Sequence, residues 1–554
     1  MTADVENSTL LENKTKLDIL DLVGNNGPWQ RLIFIVSLIC AIPIASQNLV
    51  ITFFAPNLDH WCARPTGVNI SAEEWKLRAL PAHDQKCSKF KYFNITDVYP
   101  VNINYTDSDI VPCDSWEYDN SIYVSTVLSK WDLVCEQEWL VSLSKSVFVA
   151  GYLFSATVIG HFADKYGRKP IIVSCNIIAL FSSVICAFST SFLMFSVLRF
   201  LIAVGVSGVF NAAFVLLMEV VSPAYRPIYG LSINFGWCLG FVSLPLIAWI
   251  IRDWFWIQLF ITVPNVFLLS SYWLLPESPR WLMSQGNIEE VERILTRAAK
   301  MNNVDTSDLS KNVKEIMVAK KTEGEEREKP SGNFLDLLRT PGLWQKTLNL
   351  FYLWCIIAFM YYGLSYNTNE MAGDPFINFA ASGAIEIPGY FISIFIIKYY
   401  GRRNPLSASL IIGALACFLM YPLPQDPWWL NVIVSMVGKF CITCAFGVLY
   451  IYTAEIFPTV VRNVGMGSAS LCARIGSIVA PFVRELGHAT HAVVPQIIYG
   501  VLAGIAGLLV LLLPETNNCR VPDTLEEAAK FTRKRSCVRE TNHLPMQELV
   551  SEKT

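Results

Sequence analysis

Stretches of roughly 20 apolar residues, each about long enough for a helix to cross a 30 Å hydrocarbon layer, recur along most of this 554-residue chain. A single soluble core has no room for so many. With 53% of residues hydrophobic and only 16% charged, most of that apolar surface must face lipid. The runs fall near 32–54, 140–162, 171–189, 192–217, 228–250 and 254–275, then near 347–366, 376–397, 405–423, 429–452, 463–485 and 493–513. The chain therefore reads as an all-α membrane protein with twelve transmembrane helices. Residues 1–28 form a polar lead without a signal-peptide pattern, 29–275 a first six-helix half, 276–346 a charged connecting loop, 347–513 a second half and 514–554 a tail.

Charge sets the orientation. Lys165, Arg168, Lys169, Arg226, Arg402, Arg403 and Arg462 fall in short loops on one side, and the excess of basic residues assigns that side, with both termini, to the cytoplasm. The polar insert 55–138 between the first two helices then lies outside. It holds Cys62, Cys87, Cys113 and Cys135, enough for two disulfides in any of three pairings. It also holds sequons at Asn69, Asn94 and Asn104, so it reads as a folded, glycosylated extracellular domain. Asn7 and Asn13 match the sequon pattern too, but fall on the cytoplasmic side and are expected to stay bare.

The two halves repeat. Gly167-Arg168-Lys169 corresponds to Gly401-Arg402-Arg403, Glu219 and Arg226 to Glu455 and Arg462, and Pro276-Glu277-Ser278 to Pro514-Glu515-Thr516, at offsets of 234, 236 and 238. A duplicated six-helix unit gives this regularity and puts a solute path between its halves. Carboxylates and guanidinium groups beside helix ends can form a latch that makes and breaks with conformation. Asp164, Arg168, Glu219, Arg226, Arg402, Glu455 and Arg462 form the candidate gate. The bland alternative is that these arginines only anchor helices to anionic lipid.

The segment Gly160-His161-Phe162-Ala163-Asp164-Lys165-Tyr166-Gly167-Arg168-Lys169 resembles the loop signature of the major facilitator superfamily. The second copy departs from it, because Lys398 stands where the repeat would place the aspartate. The large first loop, Pro276-Glu277-Ser278-Pro279-Arg280-Trp281-Leu282 and Ala454-Glu455-Ile456-Phe457-Pro458-Thr459-Val460-Val461-Arg462-Asn463 narrow the likeness to solute carrier family 22. Val437-Gly438-Lys439-Phe440, Tyr452-Thr453-Ala454-Glu455 and Ala473-Arg474-Ile475-Gly476 are most similar to its carnitine-type organic cation transporters and their invertebrate relatives. The resemblance implies a major facilitator fold, multi-pass residence in the plasma membrane, and alternating-access transport of small organic cations or zwitterions.

Charged residues inside spans are costly and need a partner or a task. Glu386, Lys439 and Arg474 stand out, with a buried structural ion pair as the plain reading. Glu386 is the candidate cation receptor. Trp354, Tyr361 and Tyr362 share one helix, Trp354 and Tyr361 on one face, and Phe210 and Tyr450 are weaker additions. Such a stripe is more often packing, but aromatic faces also bind quaternary ammonium groups. The resemblance implies that an arginine at position 474 marks carnitine-type and anion-carrying members. An arginine fork suits a carboxylate, so a betaine-like zwitterion fits Glu386 and Arg474 together. Lys439 keeps organic anions open as an alternative, and a non-transporting solute sensor is the other.

No nucleotide-binding loop, nucleophile with its base, or metal-ligand spacing is found, so neither an enzyme nor an ATP-driven pump is expected. No cofactor, metal or nucleic-acid partner is expected either. Sodium coupling and facilitated diffusion both stay open.

Overall fold

The computed structural model describes residues 19–530 except 66–69, 82–83, 92–109, 224, 307–308, 317–332, 421–426, 492, 518, 520–521 and 523. The three loop sequons, Asn7 and Asn13, the charged cluster at 320–328 and the basic tail at 533–535 lie outside the described residues.

All twelve apolar runs form helices. These are α1 (Pro28–Phe54), α2 (Cys135–Tyr166), α3 (Arg168–Ala187), α4 (Phe192–Val220), α5 (Ile228–Ile251) and α6 (Trp254–Leu274) in the first half. The second half contains α7 (Trp344–Tyr366), α8 (Pro375–Tyr400), α9 (Arg403–Leu419), α10 (Trp428–Ile456), α11 (Arg462–Ala489) and α12 (Val494–Val510). Ten of these are long and apolar enough to cross a membrane, while α9 and α12 have 17 residues each.

Local chemistry starts several of them. Pro28 occupies the first turn of α1, where its missing N–H costs nothing, and the Gln30 side chain accepts the Gly27 N–H at 3.0 Å. Ser191 caps α4 by accepting from Met194, and Asp253 and Asp374 cap α6 and α8 by accepting from Phe255 and Phe376. A π-helical turn at Ser155–Ile159 interrupts α2.

Helices pack closely where glycine permits it. A Cβ on Gly236 of α5 would overlap the Leu38 carbonyl of α1, and one on Gly476 of α11 would overlap the Cys355 carbonyl of α7. Lipid supplies little hydrophobic drive between helices, so backbone approach at small residues does much of the holding. The two crossings occupy equivalent places in the two halves, which extends the repeat from sequence into packing.

The insert after α1 has its own small core of Trp61, Cys62, Trp75, Ala79, Leu80 and Cys113. Two antiparallel ribbons frame it, β1 (His60–Cys62) with β4 (Trp116–Tyr118) and β2 (Ser88–Phe90) with β3 (Ile110–Pro112). Of the three possible disulfide pairings, the chain adopts Cys62–Cys113 and Cys87–Cys135. His60 groups with Cys87 and Cys135, but those sulfurs are already joined to each other. The insert is pinned to the bundle where the Val124 N–H donates to the Arg252 carbonyl and Trp254 donates to Ser125.

After α6, helices at Pro279–Ser284 and Ile288–Met301 fold under the first half, the second burying Val291, Leu295, Ala298 and Ala299. Asn302 fastens them there, accepting from the Trp29 N–H and donating to the Val23 carbonyl and to Gln30.

Candidate functional site

The halves meet along α2 with α11 and α5 with α8, two pairings related by the internal repeat. Ser142 donates to Glu485 at 2.6 Å and Ser146 to the Ile478 carbonyl at 2.7 Å. Asn48 donates to Tyr362 at 3.0 Å and accepts from Tyr366 at 3.2 Å, and Trp237 donates to Tyr361 at 2.8 Å. Glu138 sits 3.1 Å from His488 and 4.0 Å from Arg484. Phe53 packs against Phe376 and Phe379, and Phe241 against Phe379. These contacts run from mid-helix toward the insert, so the seam is closed on that side.

At the opposite ends the gate residues bind within their own halves. Arg168 bonds Glu219 at 2.8 Å and Asp164 at 3.0 Å. Arg402 bonds Glu455 at 2.9 Å. Glu277 accepts the backbone N–H groups of Arg168 and Lys169 at 2.9 and 3.1 Å, and Glu515 accepts those of Arg402 and Arg403 at the same two distances. Each glutamate thus holds the start of the next helix, where free N–H groups favour an anion. The loops turn on Gly167 and Gly401, with φ of +101° and +83°, values that a side chain resists. Both glycines lie directly against those carboxylates.

Where Lys398 replaces the aspartate, Asn517 takes over, accepting from Arg402 at 2.7 Å. Arg226 donates to the Met218 and Val221 carbonyls at the end of α4, and Arg462 donates to Phe457 and Thr459 after α10. Glu219 pairs with Arg168, and Arg226 and Arg462 each bond the chain leaving a long helix.

The intramembrane charges divide into two groups. Glu386 and Lys439 form an ion pair at 2.9 Å, the carboxylate 0% and the ammonium 2% exposed. Lys439 also donates to Ser365 and stands 3.4 Å from the centre of the Tyr361 ring. Arg474 lies elsewhere, 5.3 Å from the Tyr152 ring, and its Nε has no hydrogen-bond partner.

The aromatic residues are partly brought together. Trp354 meets Tyr450 edge-on at 4.7 Å and Phe446 at 5.8 Å, and Tyr361 lies 5.9 Å from Phe446. Trp354 is fixed by its bond to Thr453 at 2.9 Å. It is buried, whereas Tyr450 is 41% exposed, so the cluster has one open face. Phe210 stacks with Phe214 at 6.4 Å.

Phe446 belongs with the cluster, and two buried cations, Lys145 on α2 and Arg199 on α4, belong with the charged set. The signal for both cations is in the sequence, since each is a charge inside an apolar run.

The sugar (and other) transporter family model matches residues 99–528. The organic cation transporter protein of Drosophila melanogaster is 35% identical over 523 residues, covering 93% of this chain and 95% of that one. Organic cation/carnitine transporter 2 of Mus musculus is 34% identical over 526 residues, covering 92% and 93%. Solute carrier family 22 member 21 of Mus musculus is 34% identical over 529 residues, covering 93% of each. Among solved structures, the inward open xylose transporter XylE from E. coli superposes with a TM-score of 0.61 at 13% identity, covering 91% of this chain and all of that one, a likeness of fold. The repeat, the paired loop latches and these matches together make the chain a member of solute carrier family 22 within the major facilitator superfamily.

Proposed function

We propose that this chain carries small organic cations and zwitterions across the plasma membrane by alternating access, with twelve spans, both termini cytoplasmic and a glycosylated external domain. The observation that carries the reading is the arrangement of the seam. Two repeat-related helix pairs close it on the side of the insert, while the loop latches of the two halves stay separate on the other. With the insert outside, this is an inward-facing state, and its cleft contains the open face of Tyr450, which packs on the buried Trp354. The names of the relatives support an organic cation or carnitine-like solute.

Arg474 and the aromatic cluster divide the work in this reading. The guanidinium takes a carboxylate, and the rings take a quaternary ammonium group, each ring contributing roughly 0.5–2 kcal/mol. Glu386 is occupied by Lys439 in this state, so it meets the ammonium group only if the pair opens during the cycle. That occupation also favours a second reading, organic anion transport, because it leaves Arg474 without a neutralising acid.

Uptake of radiolabelled carnitine, a plain quaternary ammonium ion and an aromatic monocarboxylate, with and without sodium, separates these readings. Arg474→Ala is expected to abolish carnitine uptake and spare the plain cation. Unchanged carnitine uptake in that variant overturns the zwitterion assignment, and uptake of the monocarboxylate alone favours the anion reading.

A further inference from the structure

Arg199, in the third turn of α4 (Phe192–Val220), is 0% exposed, and none of its three guanidinium nitrogens has a hydrogen-bond partner. Its planar face rests on Phe148, 4.1 Å from the ring centre. That stacking leaves the N–H groups, which lie in the guanidinium plane, pointing past the ring edge. Arginine stays protonated in proteins, and a buried charge without a counter-charge is among the most expensive features a fold can carry.

The neighbouring groups do not offset it. Cys186, Tyr152 and Tyr366 are the groups that interact with it electrostatically. Tyr152 already donates to the Ile44 carbonyl at 3.2 Å, and Tyr366 already donates to Asn48. No carboxylate stands among these neighbours. Glu386, the fully buried carboxylate among the described residues, is bonded to Lys439. Tyr152 also lies under Arg474, so it is flanked by two guanidinium groups and the field around it is positive.

We propose that Arg199 is the centre of a buried binding site for one monovalent anion, either a free halide or the carboxylate of a transported solute. A single negative charge in the guanidinium plane accepts the N–H bonds that the protein does not, and cancels the charge that the fold leaves open. The site is separate from the cleft at Tyr450. Tyr366 comes from the second half, so the anion sits beside the closed seam and stabilises the state described above.

The test is the melting temperature of the purified full chain in detergent, followed as sodium gluconate is replaced by sodium chloride at constant ionic strength. A saturable rise in Tm with chloride is expected, since a ligand that binds only the folded state raises stability as its concentration passes its Kd. Arg199→Gln is expected to abolish the rise, and Arg199→Lys, which keeps a charge but loses the planar fork, to shift the midpoint to at least tenfold higher chloride. Arg474→Gln is expected to leave the rise in place. A wild-type Tm indifferent to chloride, acetate and carnitine overturns the proposal. So does a saturable rise that survives Arg199→Lys with its midpoint unchanged, the measurement that decides if Arg199→Gln does not fold. Acetate or carnitine giving a rise that Arg199→Gln removes and Arg474→Gln keeps identifies a carboxylate as the occupant, and chloride acting alone identifies a halide; either supports the site, whereas a carnitine rise lost only in Arg474→Gln does not.

Discussion

The pair Glu386 and Lys439 is the sharpest place to perturb the bundle. At 2.9 Å and an effective dielectric near 20, the mutual attraction is about 6 kcal/mol. Taking both ions out of water costs several kcal/mol for each, so the pair as a whole contributes little net stability. Removing one member is different, because it strands the other in a site that is 0–2% exposed, at a cost of about 3–5 kcal/mol. The two single variants should not be equal. After Glu386→Gln, the ammonium keeps Ser365 and the face of Tyr361, the latter worth up to about 2 kcal/mol, so this loss falls near the low end of the range. After Lys439→Met, the carboxylate loses its ion-pair partner and keeps the weak Cys238 thiol donor, so the loss falls near the high end. The double variant replaces the pair with neutral groups of similar size and should return close to wild type. Among the described residues nine cysteines are free, seven of them buried, which makes a thiol-reactive dye a suitable reporter of thermal unfolding. The expected order of Tm is wild type and double variant together, then Glu386→Gln, then Lys439→Met. A double variant less stable than either single one would mean that the two residues act independently, and the argument from a buried pair would fail.

Three further outcomes follow from other parts of the structure. Non-reducing peptide mapping should recover Cys62 linked to Cys113 and Cys87 linked to Cys135, and replacing either pair by alanine should weaken the insert by about 2–4 kcal/mol, read as faster limited proteolysis between residues 55 and 138. Gly167→Ala and Gly401→Ala should each destabilise by about 1–3 kcal/mol, since a side chain resists that backbone conformation and meets Glu277 or Glu515; Tm and transport rate check this, and unchanged values would contradict the latch. Burial alone would raise the Glu117 carboxyl, but bonds from Arg64 and Trp61 outweigh it and hold the group below its ordinary value. Its contribution is therefore full above the unfolded pKa and is lost as pH falls through the lowered folded one, so the insert should loosen in acid and Glu117→Gln should flatten that part of the pH profile, measured by proteolysis.

Much of the architecture was legible because lipid imposes a crude rule that sequence displays directly. All twelve helices stand within a few residues of their apolar runs, and Gly167, Gly401, Glu219 and Glu455 occupy repeat-related places. What was not legible depends on distance in the chain. Glu386 and Lys439 are each conspicuous, but nothing local says that residues on α8 and α10 will neutralise each other. Asn517 lies far from the Lys398 whose missing carboxylate it replaces, and an asparagine in a tail carries no signal until Arg402 is placed beside it. The disulfide pairing had three solutions by count and one by fold. Arg226 was legible as a member of the gate set, but not its bonds to the Met218 and Val221 carbonyls at the end of α4.

The account stands most directly on flux. Purified chain in proteoliposomes, preloaded with unlabelled carnitine or a quaternary ammonium ion, should take up the same labelled solute faster than vesicles that were not preloaded, with saturation as its concentration rises. Uptake equal to protein-free vesicles for every cation, zwitterion and anion offered, preloaded or not, would contradict it.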